Sequence, residues 1–118
     1  MKSYNELEVW KDSRALCGLI YKISSGFPNE EIYGLTSQIR RCSVSIPSNI
    51  AEGCGRSTPK GTLNFLYISR GSLFELETQI YIAYDLNYIS VEVLENLLSK
   101  ILSCKKLLNG FIKYYTGL

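Results

Sequence analysis

The side chains that usually carry catalysis are scarce in this sequence, and the scarcity is informative. There is no histidine among the 118 residues. That removes Ser-His and Cys-His pairs, the commonest metal ligand, and the one side chain that titrates unperturbed near neutral pH. Four cysteines, Cys17, Cys42, Cys54 and Cys104, are scattered with no short C-x-x-C spacing. A thiolate metal site or two disulfides is one reading; the expected one is small buried thiols in a reducing cytosol. Glu75 and Glu77 stand two apart, on different faces of any helix, so they cannot form an acid/base pair by themselves. Di-iron bundles need Glu-x-x-His pairs, which this chain cannot make. GCGRSTPKG at positions 53 to 61 is glycine-rich and basic, but it lacks the G-K-[ST] ending and the preceding strand of a phosphate loop. No serine–lysine pair falls in a recognisable frame. An enzyme is therefore not expected, nor are a metal, a cofactor or a small-molecule substrate.

The elements that would position any site are helices. The first is expected from about Asn5 to Ser24, with Leu16, Leu19, Ile20 and Ile23 at helical spacing and Gly26-Phe27-Pro28 as its stop. Ser3 with Glu6 has the form of a capping box, and Asn5 with Glu8 offers a competing start. The second helix is expected to begin after Asn29 as N-cap, with Glu30 and Glu31 in its first turn. Its apolar seam is Ile32, Leu35, Ile39, Cys42, Ile46 and Ile50, and the period continues through Pro47. One kinked helix ending at Gly53-Cys54-Gly55 is the expectation. Thr58-Pro59 reads as an N-cap followed by proline at the first position of a third helix, closed by Asn87-Tyr88. Ser90 opens the fourth, in which Lys105, Lys106 and Lys113 lie toward the C-terminus and suit the helix dipole. Helices of ~20–28 residues, about 30–40 Å long, with short connections imply an all-α, up-down antiparallel four-helix bundle. The length suits one domain spanning residues 1–118. No apolar run approaches the ~20 residues of a membrane span. The start MKSYNELEVWKD lacks the apolar core of a signal peptide, so a cytoplasmic protein is expected.

The third helix has more apolar surface than a bundle can cover. One face carries Phe65, Leu66, Leu73, Leu76, Ile80 and Ala83. Tyr67, Phe74, Tyr81 and Tyr88 repeat every seven residues on a second, and Ile68, Ile82 and Leu86 flank Glu75 on a third. Such a helix is normally buried around most of its circumference, which predicts cover by another subunit. Opposite the seam of the second helix lie Gly34, Ser37, Arg41, Ser45, Ser48 and Glu52; the small residues of this stripe let another backbone approach, and its charges would then need partners. Glu75 and Glu77 are candidate partners for Arg40 and Arg41.

Charge is unevenly placed although the whole chain is only +2. Between Ile32 and Arg70 stand Arg40, Arg41, Arg56, Lys60 and Arg70 against Glu52 alone, a net +4. Gly71 to Ile89 carries Glu75, Glu77 and Asp85, a net −3. The turn with Arg56 and Lys60 could therefore meet phosphates, and Arg40 and Arg41 could join it. The alternative is a structural or protein-interaction scaffold with no nucleic-acid role.

The stretches FPNEEIYGLTSQIRRCSVSIPSNIAEGCGRS and NFLYISRGSLFELETQI resemble the bacterial four-helix-bundle family of 23S rRNA intervening-sequence proteins. The motifs Y-G-L, Q-I-R-R, S-I-P-S-N-I-A-E-G and G-S-x-x-E-L-E occur in order, and the likeness covers Trp10 to about Tyr88. It implies a homopentamer around a central channel with no enzymatic activity. A similar bundle, the accessory protein of diversity-generating retroelements, implies contact with nucleic acid or a ribonucleoprotein. By position, the motif residues here are Tyr33, Gln38, Arg40, Arg41, Ser45, Pro47, Asn49, Glu52, Gly53, Ser72, Glu75 and Glu77.

Overall fold

In the computed structural model, which describes residues 3–118, the chain forms four helices: α1 (Glu8–Ser24), α2 (Leu35–Cys54), α3 (Pro59–Asp85) and α4 (Val91–Thr116). Met1 and Lys2, part of the start read above, lie outside the described residues. Short 3-10 turns at Tyr4–Glu6 and Asn29–Glu31 precede α1 and α2. Each helix packs antiparallel against the next, α4 returns beside α1, and α2 with α3 forms the most extensive pair. The molecule measures 45 × 25 × 20 Å, its long axis set by the 27-residue α3. Among the described residues there is no strand. The core is one stripe from each helix, with Leu16, Ile20, Ile39, Ile46, Ile50, Leu66, Leu73, Leu76, Ile80, Leu97, Ile101 and Leu108 all but fully buried.

Local chemistry explains the later helix ends. Thr58 Oγ1 accepts from the Gly61 amide at 3.1 Å, with Pro59 at the first helical position where its missing N–H costs nothing. Ser90 Oγ does the same for Val93 at 3.2 Å. At the end of α3, Asn87 has φ 62°, and the Tyr88 and Asn87 amides donate back to Ala83 (2.9 Å) and Tyr84 (2.9 Å). This is a Schellman closure with asparagine in the left-handed position. Pro47 lies inside α2 without ending it.

The two earlier starts differ from expectation. Neither capping box forms: Leu7 is the N-cap of α1, and Ser3 makes only a backbone bond to Glu6. Asn29 is not an N-cap either, because Pro28–Glu31 closes into its own 3-10 turn and α2 starts six residues later. Ile32 leaves the seam as a consequence and is exposed. Glu31 acts as the remote cap, accepting from the Leu35 amide at 3.1 Å. Glycine at 34 makes room for it, since a Cβ there would sit 2.6 Å from Glu31 Oε1.

The α2–α3 seam is close enough to need glycine again. A Cβ on Gly53 would meet the Thr62 carbonyl oxygen at 3.1 Å and Phe65 Cβ at 3.2 Å. Thr62 Oγ1 donates to the Gly53 carbonyl (2.8 Å), and Ser69 Oγ to that of Ile46 (2.9 Å). These buried hydroxyls are satisfied across the seam, so their hydrogen bonds offset the cost of desolvation while they hold register.

Candidate functional site

The α2–α3 seam continues outward as a polar row. Ser45 Oγ lies 2.6 Å from Ser72 Oγ and is bonded to the Cys42 carbonyl; Asn49 Nδ2 donates to the Ser45 carbonyl at 2.7 Å. The Cys42 thiol donates to the Ser72 carbonyl (3.2 Å), with Glu75 Oε2 at 3.7 Å. Burial, and then the Glu75 charge, push Cys42 up to about 12, and burial chiefly raises Cys104 to about 11. A thiol so protonated is a poor nucleophile at neutral pH. All four cysteines are unpaired, Cys42 and Cys104 buried and Cys17 and Cys54 half-buried. Among the described residues no three Cys, Asp or Glu side chains converge as a metal site.

The arginines part company. Arg40 is half-buried and reaches back to the end of α1: Nε donates to Ser24 Oγ at 2.7 Å, and Nη2 to the Tyr21 carbonyl and Ser25 Oγ, both at 3.3 Å. Its guanidinium also stands 4.9 Å from the Tyr21 ring centroid. It thus caps the negative end of a helix dipole. Arg41 is exposed and donates only to Ser37 Oγ, at 3.1 Å. The expected pairing of Arg40 and Arg41 with Glu75 and Glu77 is not made within the protomer. Glu77 is taken by Lys105, whose Nζ lies 3.0 Å from both carboxylate oxygens and 4.2 Å from the Phe74 ring centroid. Lys105 wins because it faces Glu77 from α4, whereas Arg40 faces α1.

The basic turn is at one end of the bundle, where α2 passes to α3 and α4 finishes. Lys60 is exposed there; Arg56 is 3.9 Å from Glu52 and stacks 4.3 Å from the Phe65 centroid. Both members of the Arg56–Glu52 pair are more than half or half exposed, so it restrains Arg56 only weakly. Glu30, Glu31, Asp85 and Glu92 occupy the opposite end.

On α3 the predicted second stripe is exposed: Tyr67, Phe74 and Tyr81, with Ile68, Ile82 and Leu86 beside it. Arg70 lies over the Tyr67 ring at 5.1 Å, edging the stripe on the α4 side. Tyr33, preceding α2, is 96% exposed. Such a run of aromatic and aliphatic groups is an interface signature. One residue that the spacing did not single out completes the picture. Gln79 is buried on α3, and its Oε1 has no partner. Tyr88, the fourth member of the predicted stripe, departs from it: it lies beyond the end of α3, is half-buried and donates to Glu31 across 57 residues.

Fold and surface together define a helical bundle protein with an uncovered apolar face. The chain belongs to the 23S rRNA-intervening sequence protein family, whose sequence profile matches residues 5–110. It is similar to a crystal structure, at 1.70 Å resolution, of a protein of unknown function from the S23 ribosomal protein family of Bacteroides thetaiotaomicron VPI-5482. The TM-score is 0.83 at 25% identity, covering 95% of this chain and 99% of that one. No curated protein matches the chain. Neither the family nor the structural neighbour carries an enzymatic description. No helix among the described residues is long and apolar enough to cross a membrane.

Proposed function

We propose that this protein is a non-enzymatic homo-oligomer, a pentamer as its family resemblance implies, that acts in the cytoplasm as an RNA- or ribonucleoprotein-binding adaptor. The observation that carries the reading is the exposed stripe Tyr67, Phe74 and Tyr81, with Ile68 and Ile82 beside it, on a helix whose other face is buried in the core. A second copy removes that surface from water at roughly 25 cal/mol per Å² of apolar area. Assembly also multiplies the basic turn: one protomer offers Lys60 and a partly engaged Arg56, too little for tight phosphate binding, whereas several copies on one face offer a polycationic surface.

The test is binding of structured RNA across a salt series. Affinity should fall steeply with salt, with a slope of several phosphate contacts per assembly. Arg56→Glu with Lys60→Glu should weaken binding and leave the assembly mass unchanged. Equal affinity in that variant removes the patch from the account. One observation favours the scaffold alternative: Arg56 already has Glu52 and Phe65 as partners. Absence of RNA binding even at low salt would select it.

A further inference from the structure

A groove runs between α1 and α2, on the side of the bundle away from the exposed stripe of α3. That stripe leans toward α4, where Phe74 meets Lys105 and where Arg70, over the Tyr67 ring, donates to Asn109 Oδ1 at 3.3 Å. Because α2 and α4 each lie between α1 and α3, the α1–α2 side is opposite the α3–α4 side and stays open when the stripe is covered. Two hollows lie along the groove, one of about 460 Å³ beside the start of α2 and one of about 300 Å³ beside its second half. Tyr21, Arg40 and Arg41 help line the first; Tyr4, Trp10 and Arg14 help line the second. No carboxylate lines either one. Three cations without an anion is a marked bias in a chain with 13 basic and 11 acidic side chains. Among the described residues the ion pairs engage Lys11, Arg56 and Lys105, and none of these three arginines. Each hollow instead joins a guanidinium to a ring: Arg14 stands 5.3 Å from the Trp10 centroid, and Arg40 4.9 Å from that of Tyr21. Tyr4 packs edge-on against Trp10 at 5.3 Å. Trp10, Arg14 and Tyr21 recur at helical spacing, so they share the face of α1 turned toward α2, with the two rings about 16 Å apart along it.

We propose that the α1–α2 groove binds a single-stranded nucleic acid, with bases stacked at the Trp10 and Tyr21 positions and phosphates on Arg14 and Arg41. The partner's chemistry follows from what alternates along the groove. A guanidinium held over a ring offers its outer plane to a flat base and its edge N–H groups to a phosphate. Rings and cations repeated along one track suit a strand whose base faces are free and whose backbone is charged at every step. A duplex keeps its base faces stacked inside, and an acidic peptide would use the arginines and leave the rings idle. Arg40, tied to the end of α1, adds charge from the side of the groove, while the exposed Arg41 stands on its rim. The groove also leads somewhere: α2 runs from Arg40 past Pro47 to the turn with Arg56 and Lys60, so a strand leaving the second hollow reaches the basic end of the bundle. The proposal rests on the nucleic-acid reading above and adds the form of the strand and the surface that takes it.

Trp10 is the only tryptophan of the chain, so its emission reports on the groove directly. The full chain is titrated with an RNA strand of about twelve nucleotides, the matching DNA strand, the RNA duplex and polyglutamate. Both single strands should quench Trp10 saturably and within about tenfold of each other, since stacking and phosphate contacts do not read the 2′-hydroxyl. The duplex should need at least about tenfold higher concentration. Arg14→Gln with Arg41→Gln, both at exposed positions, should weaken single-strand binding about tenfold and lower its salt slope by about 1.4, at about 0.7 per lost phosphate contact. Tyr21→Ala should weaken binding about tenfold and leave the salt slope unchanged. Should that variant lose helical circular dichroism, the wild-type quench and the arginine pair decide. RNA that binds without changing Trp10 emission, and is released only by Arg56→Glu with Lys60→Glu, overturns the groove and leaves the nucleic-acid reading standing. Quenching by the duplex or by polyglutamate at the same concentrations overturns the single-strand assignment, as does a strand of one sugar bound and the other refused. No binding of any nucleic acid even at low salt overturns both the groove and the reading it rests on.

Discussion

Tyr88 donates its phenolic hydrogen to Glu31 Oε2 at 2.7 Å, while Oε1 of the same carboxylate accepts from the Leu35 amide that opens α2. One side chain thus joins the α1–α2 connection to the α3–α4 turn. Phe27 packs on the Tyr88 ring at 5.3 Å between centroids, which holds the phenol in place.

The pH dependence of this link has a definite sign. The Tyr88 bond first, and the Leu35 amide second, hold the Glu31 carboxyl below its ordinary 4.5. A depressed folded value means stability that is present above the unfolded value and lost as pH falls through the folded one. Tyr88 is pushed up from 10.0 to about 12, chiefly by Glu31, so its share is present below pH 10 and lost as pH rises toward 12. Thermal midpoints of wild type and Tyr88→Phe should therefore differ most between about pH 5 and pH 9 and converge on both sides. A difference that persists unchanged below about pH 4 and above about pH 11 would show that the hydrogen bond contributes nothing.

The contact at Gly53 sets two opposing effects against each other. Gly53→Ala gains up to about 1 kcal/mol of helix propensity. It also forces a methyl against the Thr62 carbonyl and Phe65 Cβ, neither of which can swing aside, and overpacking of that kind costs about 1–3 kcal/mol. The net expectation is a loss of about 1 kcal/mol, read from urea midpoints. A stabilised variant would mean that α3 yields at this point.

Caps separate what is local from what is not. Thr58→Ala and Ser90→Ala should each cost about 1 kcal/mol, because each removes an acceptor from a first-turn amide. Ser3→Ala should change stability by less than about 0.5 kcal/mol, since its side chain caps nothing.

The ends of α3 and α4 were legible for that reason: Thr58-Pro59 and Ser90 act within three residues of themselves. The start of α2 was not, because its cap is a glutamate outside the helix, held in turn by a tyrosine 57 residues away. Spacing carries no trace of such a bond. The period through Pro47 correctly joined two half-segments into one helix, since the seam Ile39, Cys42, Ile46 and Ile50 is buried on both sides of the proline. Charge alone misdirected the partners of Arg40: a wheel places a residue on a face, while the length of arginine lets it reach the last carbonyls of α1. Gln79 sits at helical spacing with Leu76, Ile80 and Ala83, but as a polar residue it does not read as part of that face, so neither its burial nor its missing partner was legible.

Lys105 offers a test of the α3–α4 contact. Its ammonium serves Glu77 and the Phe74 ring together, with only 17% of its side chain exposed. Lys105→Met should cost about 1–2 kcal/mol by leaving Glu77 half-buried without its cation. Glu77→Gln, which keeps an acceptor for the ammonium, should cost less. Equal losses in the two variants would assign the contact to the ion pair alone, and no loss in Glu77→Gln would assign it to the aromatic ring.

The central claim is that the uncovered face of α3 is covered by copies of the same chain, and the mass of the wild-type protein in solution tests it most directly. Light scattering on the eluting peak should give several times the 13.4 kDa chain mass, five times for the pentamer, and the value should hold on dilution through the micromolar range. A constant 13.4 kDa at every concentration would contradict the claim and leave the apolar stripe of Tyr67, Phe74 and Tyr81 to a different partner.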